Sequence, residues 1–386
     1  MTLVLRHARC LGERGSWSPP RDVRIAGGKV LEEGKPAPGD AEVDLEGRFL
    51  LPALVNAHDV LDLSTLPPLG TPPFGSLYEW TRAAEADLAR LAPALEVPLV
   101  DRLFLGGLRN LLAGVAAVLH HHPDHRSLSR EDFPVRVQGR YGFAHSPGLT
   151  PALRRTYRTS DRRVPWLVRA AEGADPGLRA ELDLLAAANV LRQNTVIVHG
   201  TALAPEDGPR VREARAALVW CPESDRRLYG RTAPVAEFLG AGVSVGLGSD
   251  SPSAGARDAL SNLAAAHREG VLDDDGLLDL ATRGSAAVAR LPVGGFEAGA
   301  PADLLAVDSP ERLLRGERPA VALLLVRGRA VFGEAPLLAR VGLEATAVSV
   351  DGAPRALAAP LARRLAGILR RHPGARASPW LAGVGL

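Results

Sequence analysis

The sequence contains very little cysteine and no long apolar run. Its 386 residues include two cysteines, Cys10 and Cys221, which excludes a disulfide framework and a cysteine-based zinc site. No stretch approaches the ~18 apolar residues of a membrane span, and the first residues lack the apolar core of a signal peptide. We therefore expect a cytoplasmic protein with free thiols and no membrane partner.

Net charge and lysine are also scarce. Basic and acidic residues number 46 and 44, which leaves a formal charge of +2 and gives no electrostatic reason to expect nucleic acid as a partner. Lys29 and Lys35 are the only lysines, so the abundance of arginine indicates a compositional bias. With 46% apolar residues, the chain is long enough for more than one domain around an ample core.

Short β-rich runs with turn signals lie at both ends of the sequence. Residues 1–50 contain several such runs, and residues 303–345 repeat the pattern. Between them, residues 51–302 alternate strand and helix signals, which predicts an α/β fold of the (β/α)8 barrel type. A weak signal places the fourth strand–helix unit at about 149–162.

Residues 346–386 are expected to form a helical extension. Leu357, Leu361, Leu365 and Leu369 recur at helical spacing with arginines between them. Such a helix would pack on the barrel or on a second copy of the chain in a homodimer. An amphipathic helix lying on a membrane is the rival interpretation.

Polar residues follow three of the predicted strands. His58 ends an apolar run, His199 ends Thr-Val-Ile-Val-His, and Asp250 follows Val-Gly-Leu-Gly-Ser. Because active-site groups of parallel α/β barrels come from the carboxyl ends of several strands, we expect these three side chains to share one pocket.

The motifs that carry these residues resemble those of the amidohydrolase superfamily, in particular its deaminase and chlorohydrolase branch. The run Leu51-Pro-Ala-Leu-Val-Asn-Ala-His-Asp-Val is similar to the Pro-Gly-Leu-Val-Asn-x-His-x-His signature of the first barrel strand. Gly-Ser-Asp-Ser-Pro and Gly-Ala-Pro-Ala-Asp-Leu are similar to later motifs of the superfamily. The resemblance implies a (β/α)8 barrel, a β-sandwich built from both termini, and hydrolysis of non-peptide carbon–nitrogen bonds.

The resemblance also implies a divalent metal ion, such as zinc, that lowers the pKa of a bound water. His58, His199 and Asp250 match three of the metal ligands. Asp250 matches the residue that receives the proton of the water, and Glu172 matches a proton-shuttling glutamate. Asp250, Glu172 and His199 are therefore the expected catalytic residues.

Three positions depart from the superfamily pattern. Val60 replaces the second histidine of the first strand, Arg169 replaces the histidine of the fifth, and Trp220 replaces the histidine of the seventh. Valine offers no ligand atom, and arginine is a permanent cation. We expect a metal-free pocket in which Arg169 pairs with Asp250 or Glu172, and in which Arg169 and Trp220 bind a carboxylate or a planar heterocycle.

A second interpretation keeps one metal ion. The tract His-His-His-Pro-Asp-His begins at residue 120, and alternation along a strand would let His120 and His122 point together. Either could complete a site with His58, His199 and Asp250. His121 and His145 are expected to line the substrate pocket.

Two functions remain open. The first is hydrolysis of a carbon–nitrogen bond in a small substrate, by deamination or by opening of a cyclic amide. The second is a catalytically silent relative that binds a small molecule or serves as a structural subunit. Val60, Arg169 and Trp220 favour the second function, and His58, Glu172, His199 and Asp250 favour the first.

Overall fold

The computed structural model describes residues 2–12, 15–34, 36–88, 91, 96–292 and 294–386. In chain order, the strands are β1 (Leu3–Cys10), β2 (Arg21–Ala26), β3 (Lys29–Val30), β4 (Ala41–Asp44), β5 (Phe49–Pro52), β6 (Leu54–Asp59), β7 (Val115–His120), β8 (Arg136–Val137), β9 (Gly142–Ala144), β10 (Trp166–Ala170), β11 (Thr195–His199), β12 (Ala217–Trp220), β13 (Ser244–Leu247), β14 (Leu304–Val307), β15 (Val321–Val326), β16 (Arg329–Gly333), β17 (Ala345–Val350), β18 (Ala353–Ala358) and β19 (Val384–Gly385).

The α-helices are α1 (Leu77–Leu88), α2 (Leu99–Leu112), α3 (Leu153–Thr159), α4 (Ala180–Ala187), α5 (Gly208–Glu213), α6 (Pro222–Tyr229), α7 (Val235–Gly240), α8 (Ala259–Glu269), α9 (Asp274–Asp279), α10 (Ser285–Ala289), α11 (Pro310–Leu314), α12 (Ala335–Arg340) and α13 (Ala359–Arg371). Within the described ranges, no helix has the length and apolar character needed to cross a bilayer.

Strands from both ends of the chain form one sandwich-like sheet of eleven strands. The join lies between β5 and β14, which pair antiparallel with Leu51 opposite Leu305 and Leu50 opposite Ala306. All four of these residues are buried. The two terminal segments therefore share one core and depend on each other to bury their apolar faces.

The C-terminal segment differs from the helical extension predicted for 346–386. Residues 345–358 form β17 and β18, which pair antiparallel and extend the terminal sheet. The alternation that buries Val348 and Val350 is a strand pattern, and it is too short to stand out beside the leucine spacing that follows. The helix begins only at Ala359 and packs on the barrel of its own chain, where the Arg364 guanidinium lies 4.1 Å from the Phe104 ring centre.

The barrel wall consists of eight parallel strands, β6 to β13, in the described part of the chain. Strands β9 to β13 pair in sequence, and so do β6 to β8. The two groups meet where Asp59 bridges Asp250, and the Asp250 N–H donates to the His58 carbonyl at 3.0 Å. The (β/α)8 fold predicted from the sequence is thus confirmed.

The barrel has a seam between β8 and β9, because these two strands share no backbone ladder in the described residues. Side chains bridge the seam: the Tyr141 hydroxyl donates to the His122 carbonyl at 2.6 Å, and His121 Nε2 lies 3.1 Å from the Ala144 carbonyl oxygen. The fourth strand is β9 and not a segment of 149–162, where the structure has helix α3. Three residues are too few for an apolar run to be recognised in the sequence.

A buried arginine–carboxylate pair fixes strand β6 against helix α2. Arg109 Nη2 donates to both oxygens of Asp59, at 2.7 and 2.6 Å, and neither side chain is exposed. The amides of Asn56 and Asn110 donate to the same carboxylate at 2.9 and 2.7 Å. The Asp59 carboxylate therefore accepts from one cation, two amides and, at 3.4 Å, the Ser249 hydroxyl, directly behind the end of the first barrel strand.

We expect Arg109→Leu to lower the free energy of unfolding by about 3–5 kcal/mol, because it leaves the Asp59 carboxylate buried without its cation. Urea unfolding followed by circular dichroism measures the change. The double variant Arg109→Leu, Asp59→Leu should recover part of the loss. Arg371→Ala, which removes an exposed partner of Asp101, is the control and should leave the midpoint nearly unchanged. Equal stability of the Arg109→Leu variant and the wild type would contradict the role of this pair.

Candidate functional site

Strand ends place His58, His199 and Asp250 in one cluster at the carboxyl end of the barrel. One ligand atom from each lies within 4.8 Å of the others, and all three side chains are fully buried. His199 and Asp250 have left-handed backbones, with φ of 70° and 54°. Such backbones are uncommon outside glycine, and here they turn each side chain off its strand and into the cluster.

A glycine allows the last strand to approach the first. A Cβ on Gly248 would lie 2.6 Å from the Cβ of His58 and 2.6 Å from a methyl group of Val219. Such contacts are too short for any side chain to fit without a backbone shift. Gly248 therefore lets Asp250 reach the level of His58.

Arg169, on strand β10, lies at the centre of the cluster. Its Nε and Nη2 donate to the two oxygens of Glu172 at 2.8 and 3.1 Å. The same Nη2 lies 2.9 Å from Asp250 Oδ2 and 3.1 Å from His199 Nε2. Arg169 thus pairs with both of the carboxylates that were expected as alternatives.

The neighbours of Arg169 are themselves fixed by hydrogen bonds. His199 Nδ1 lies 2.7 Å from Asp225 Oδ1, so this nitrogen carries the proton and Nε2 accepts from Arg169. The Tyr229 hydroxyl donates to Glu172 Oε1 at 2.7 Å. The orientation of each group around the guanidinium is therefore determined by a partner on another element.

Two atoms of the cluster, His58 Nε2 and Asp250 Oδ1, have no hydrogen-bond donor among the described residues. His121 Nε2 faces the Ala144 carbonyl, so its Nδ1 accepts from His58 Nδ1 at 3.3 Å. This leaves His58 Nε2 with a lone pair directed at Asp250 Oδ1, 3.5 Å away, and neither atom has a hydrogen-bond partner among the described residues. Burial lowers the pKa of His58 to about 4, so the imidazole is neutral at neutral pH.

The cluster contains suitable metal ligands, but a cation already lies against two of them. Two imidazoles and a carboxylate are suitable ligands for zinc. However, Arg169 Nη2 already lies against His199 Nε2 and Asp250 Oδ2, two of the three ligands, and it is a cation. At ~4 Å, two unit charges repel by roughly 4 kcal/mol at an effective dielectric of about 20. As arranged, these residues do not fit a zinc ion.

The expectation that His120 or His122 completes the metal site is wrong. Both rings point together, but toward Asp62: His122 Nδ1 is 3.0 Å from each Asp62 oxygen, and His120 Nε2 is 3.8 Å from one of them. His120 Nδ1 accepts from the Leu61 N–H, so its other nitrogen carries the proton and is not free to bind a metal.

The phase of strand β7 explains this error. Ala117 and Leu119 belong to the core inside the barrel, whereas Ala116 and Val118 belong to the core between the barrel and the helices. His121 continues the inner face and reaches His58. Because the strand is apolar on both faces, its sequence does not reveal which histidine points inward.

A cavity of about 200 Å³ lies over Arg169. Its lining is mostly apolar, with histidines on one side: Val60, Leu63, Leu66, Leu69, Trp80, Thr81, Ala84, Glu85, His121, His122, Phe143, His145, Arg169 and Ser253. Burial lowers the pKa of His145 to about 4. His121, His145 and Arg169 therefore line the pocket, as the sequence suggested, while His58, Glu172, His199 and Asp250 lie beneath Arg169.

Trp220 does not line this pocket, which corrects the sequence prediction. It belongs to the outer core, because strand β12 directs Leu218 and Trp220 toward the helices and Val219 inward. Its Nε1 donates to Thr232 at 2.7 Å, and Thr232 donates to Asp225 at 3.0 Å, so it supports the partner of His199.

Trp80 of helix α1 is the aromatic residue at the pocket. The Arg169 guanidinium lies 5.5 Å from its ring centre. Sequence reasoning missed Trp80, because a tryptophan on an amphipathic helix carries no signal of the site it covers.

Comparison with known proteins gives consistent matches. Residues 167–333 match the model of the amidohydrolase family. The 5-methylthioadenosine/S-adenosylhomocysteine deaminase of Natronomonas pharaonis is 28% identical over 337 residues, which cover 73% of this chain and 78% of the relative.

Two solved structures share the fold at low sequence identity. An adenosine deaminase from Xanthomonas campestris with bound zinc has a TM-score of 0.70 and 18% identity, covering 85% of this chain and 92% of the other. Atrazine chlorohydrolase from Arthrobacter aurescens TC1, complexed with zinc, has a TM-score of 0.66 and 18% identity, covering 85% and 95%. Zinc is thus present in both of these neighbours.

We expect Arg169→Met to lower the free energy of unfolding at pH 7 by about 3–5 kcal/mol, because it leaves Glu172 and Asp250 without their buried cation. Burial raises the pKa of each carboxyl group, but Arg169 outweighs burial and holds both pKa values below normal. The stabilisation is therefore present above about pH 4, the ordinary carboxyl range, and is lost as the pH falls through the folded pKa values.

Urea titrations at a series of pH values measure the gap between the Arg169→Met variant and the wild type, which should narrow toward low pH. Arg130→Met, which removes an exposed partner of Asp132, is the control and should follow the wild type at every pH. A gap that stays constant with pH would show that Arg169 contributes packing and not charge.

Proposed function

Because the chain belongs to the amidohydrolase superfamily, we propose that its barrel-end pocket binds a small planar nitrogen heterocycle, and that Arg169 stands where relatives hold a metal ion. The contacts of Arg169 carry this proposal. One guanidinium nitrogen lies within 3.1 Å of two of the three candidate metal ligands, and the guanidinium forms the floor of the cavity.

The chemistry of arginine favours binding over turnover. A guanidinium stays protonated at every physiological pH, so it can donate hydrogen bonds but cannot take a proton from water. It also separates the pocket from Glu172, His199 and Asp250, none of which contributes to the cavity lining. A ligand in this pocket therefore meets Arg169 before it meets the inherited acid and base groups.

The pocket suits a flat, uncharged ring. Leu63, Leu66 and Trp80 supply apolar walls, while His121 and His145 supply imidazoles whose pKa values are lowered by burial and which are neutral at pH 7. Both ring nitrogens of His121 are engaged by Ala144 and His58, so His145 is the imidazole that can offer a donor and an acceptor to the ring nitrogens and exocyclic groups of a ligand.

Hydrolysis of a non-peptide carbon–nitrogen bond, by deamination or by opening of a cyclic amide, is the second candidate. It is favoured by the retention of Glu172, His199 and Asp250 beside His58, and by the deaminases and hydrolases to which the chain is similar. Both oxygens of Glu172 are engaged by Arg169, and one also accepts from Tyr229. Proton transfer by Glu172 would therefore require the Arg169 pair to open.

The expected partner is a small molecule, and the proposed compartment is the cytoplasm. Both cysteines are buried and free, which agrees with a reducing environment. The near balance of acidic and basic residues supports neither a nucleic-acid partner nor an anionic membrane.

The first test concerns metal content. Protein produced with added zinc should contain no stoichiometric zinc, whereas Arg169→His should hold about one zinc per chain, because it adds an imidazole to His58, His199 and Asp250 and removes the competing cation. Elemental analysis after gel filtration measures the content. Arg169→Gln is the matched control, since it removes the charge without adding a strong ligand. One tightly held zinc per wild-type chain would contradict the proposed role of Arg169.

The second test concerns the ligand. We expect saturable binding of 5-methylthioadenosine or atrazine by calorimetry, and Leu63→Arg should weaken it about tenfold or more, because a charge is placed in an apolar wall. Leu149→Arg adds the same charge at an exposed leucine outside the pocket and should leave the affinity unchanged. The binding proposal would be contradicted if neither compound bound saturably, or if Leu63→Arg and Leu149→Arg lowered the affinity equally. Release of ammonia from 5-methylthioadenosine by metal-free protein would establish hydrolysis instead.

A further inference from the structure

A second cavity lies at the opposite end of the barrel. It measures about 320 Å³ and is lined by Tyr157, Arg162, Asn189, Arg192, Gln193, Ala214 and Arg215. These residues come from the segments that precede strands β10, β11 and β12 and from helix α3. In a parallel barrel, the segments before the strands lie at the end away from the candidate functional site.

The arginines of this cavity have no acidic partners. Arg162, Arg192 and Arg215 form no ion pair with any carboxylate in the described part of the chain, and neither does Arg290 beside them. The Arg290 guanidinium instead donates to the carbonyls of Arg162 at 3.1 Å and Gln193 at 2.7 Å. Arginine–carboxylate pairs do occur elsewhere on the surface, as where Arg226 meets Glu269 at 2.6 Å.

The groups that shift the pKa of Tyr157 show the sign of the charge around it. Burial raises the pKa of Tyr157, while Arg162, Arg192 and Arg290 each act to lower it. Its hydroxyl donates to Asn194 Oδ1 at 2.7 Å, so the ring is held in place. Three guanidinium groups thus act on one hydroxyl from different segments of the chain, and no carboxylate is among the groups that act on it.

Cations that converge without compensation repel one another, and a bound anion relieves that repulsion. Guanidinium groups present two parallel N–H donors, which match the oxygens of a phosphate group better than any other common anion except carboxylate. The Asn189 amide is a further donor, and Tyr157 and Ala214 supply an apolar wall. The cavity volume is within the range of small-ligand sites.

We propose that this cavity binds a multivalent phosphate anion, either free diphosphate or the phosphate group of a small ester. The proposal is independent of the function assigned to the other end of the barrel. An arginine-rich composition alone would scatter unpaired arginines over the surface. Here Arg162, Arg192 and Arg215 converge from three segments on one concave site, and the half-buried Arg290 beside it is held by two carbonyls.

The test is calorimetric titration of the full chain with sodium diphosphate at constant ionic strength. The double variant Arg192→Gln, Arg215→Gln should weaken binding at least about tenfold, since each residue contributes charge-assisted hydrogen bonds. The double variant Arg340→Gln, Arg370→Gln removes the same charge from exposed positions outside the cavity lining and should bind within about twofold of the wild type. All four arginines are exposed, so matching circular dichroism spectra will confirm that both variants fold.

Three outcomes would overturn the proposal. Absence of saturable binding shows that the cavity is not a phosphate site. Equal weakening by the two double variants shows that diphosphate responds to the overall charge of the protein and not to this cavity. Tighter binding of a single-stranded oligonucleotide than of diphosphate, with a strong dependence on salt, would show that the surface takes a polyanion and not a small phosphate. Retained selectivity for diphosphate over orthophosphate and chloride, lost only in Arg192→Gln, Arg215→Gln, supports the proposal.

Discussion

A buried positive charge at the carboxyl end of the barrel determines how the surrounding side chains are arranged. The guanidinium of Arg169 is almost fully removed from solvent, and an isolated charge in such a place would be very costly. Glu172 and Asp250 supply the opposite charge, and His199 supplies a lone pair. These three partners come from three different strand ends, so the charge also fixes how β10, β11 and β13 meet.

A second buried arginine, Arg109 of helix α2, compensates another buried carboxylate nearby. Arg109 holds Asp59 behind the first barrel strand, and its Nη2 also reaches the Asp250 carbonyl at 3.3 Å. Asp59 and Asp250 form the bridge that joins β6 to β13. The closure of the barrel therefore lies between two arginine–carboxylate centres. Compensation on both sides fixes the position of Asp250, while its Oδ1 and His58 Nε2 have no donor in the part of the chain that the structure describes.

The sequence was informative wherever a strand was long or its end carried a motif. The order of most barrel strands and the residues His58, His199 and Asp250 could be predicted from apolar runs and their terminal polar residues, whereas Arg169 was predicted from the resemblance to the amidohydrolase superfamily. The short strand β9 could not, because three residues do not form a periodic pattern. Strands β17 and β18 were hidden by the leucine spacing of the following helix.

The directions of the side chains were harder to predict from the sequence than the positions of the strands. Barrel strands are apolar on both faces, so alternation does not tell the inner face from the outer. His121 faces inward beside His58, whereas Trp220 faces the helices, and the sequence does not distinguish the two directions. A bulge in β6 and left-handed residues at the ends of β11 and after β13 further change the direction of His58, His199 and Asp250. These features follow from tertiary pairing and leave no local sequence signal.

In the two proposed sites, arginine would serve opposite kinds of recognition at the two ends of the barrel. At the carboxyl end, Glu172 and Asp250 cancel the charge of Arg169, so the proposed ligand would be selected by the shape of the cavity and by neutral donors. At the other end, Arg162, Arg192 and Arg215 have no carboxylate partner among the described residues, so charge would be the basis on which the proposed phosphate is selected. Salt screens the second kind of interaction much more than the first, because exposed charges are screened within a Debye length of about 10 Å at 0.1 M salt, whereas buried contacts are not. A higher ionic strength would therefore weaken binding in the cavity of Arg162, Arg192 and Arg215 more than binding in the pocket over Arg169.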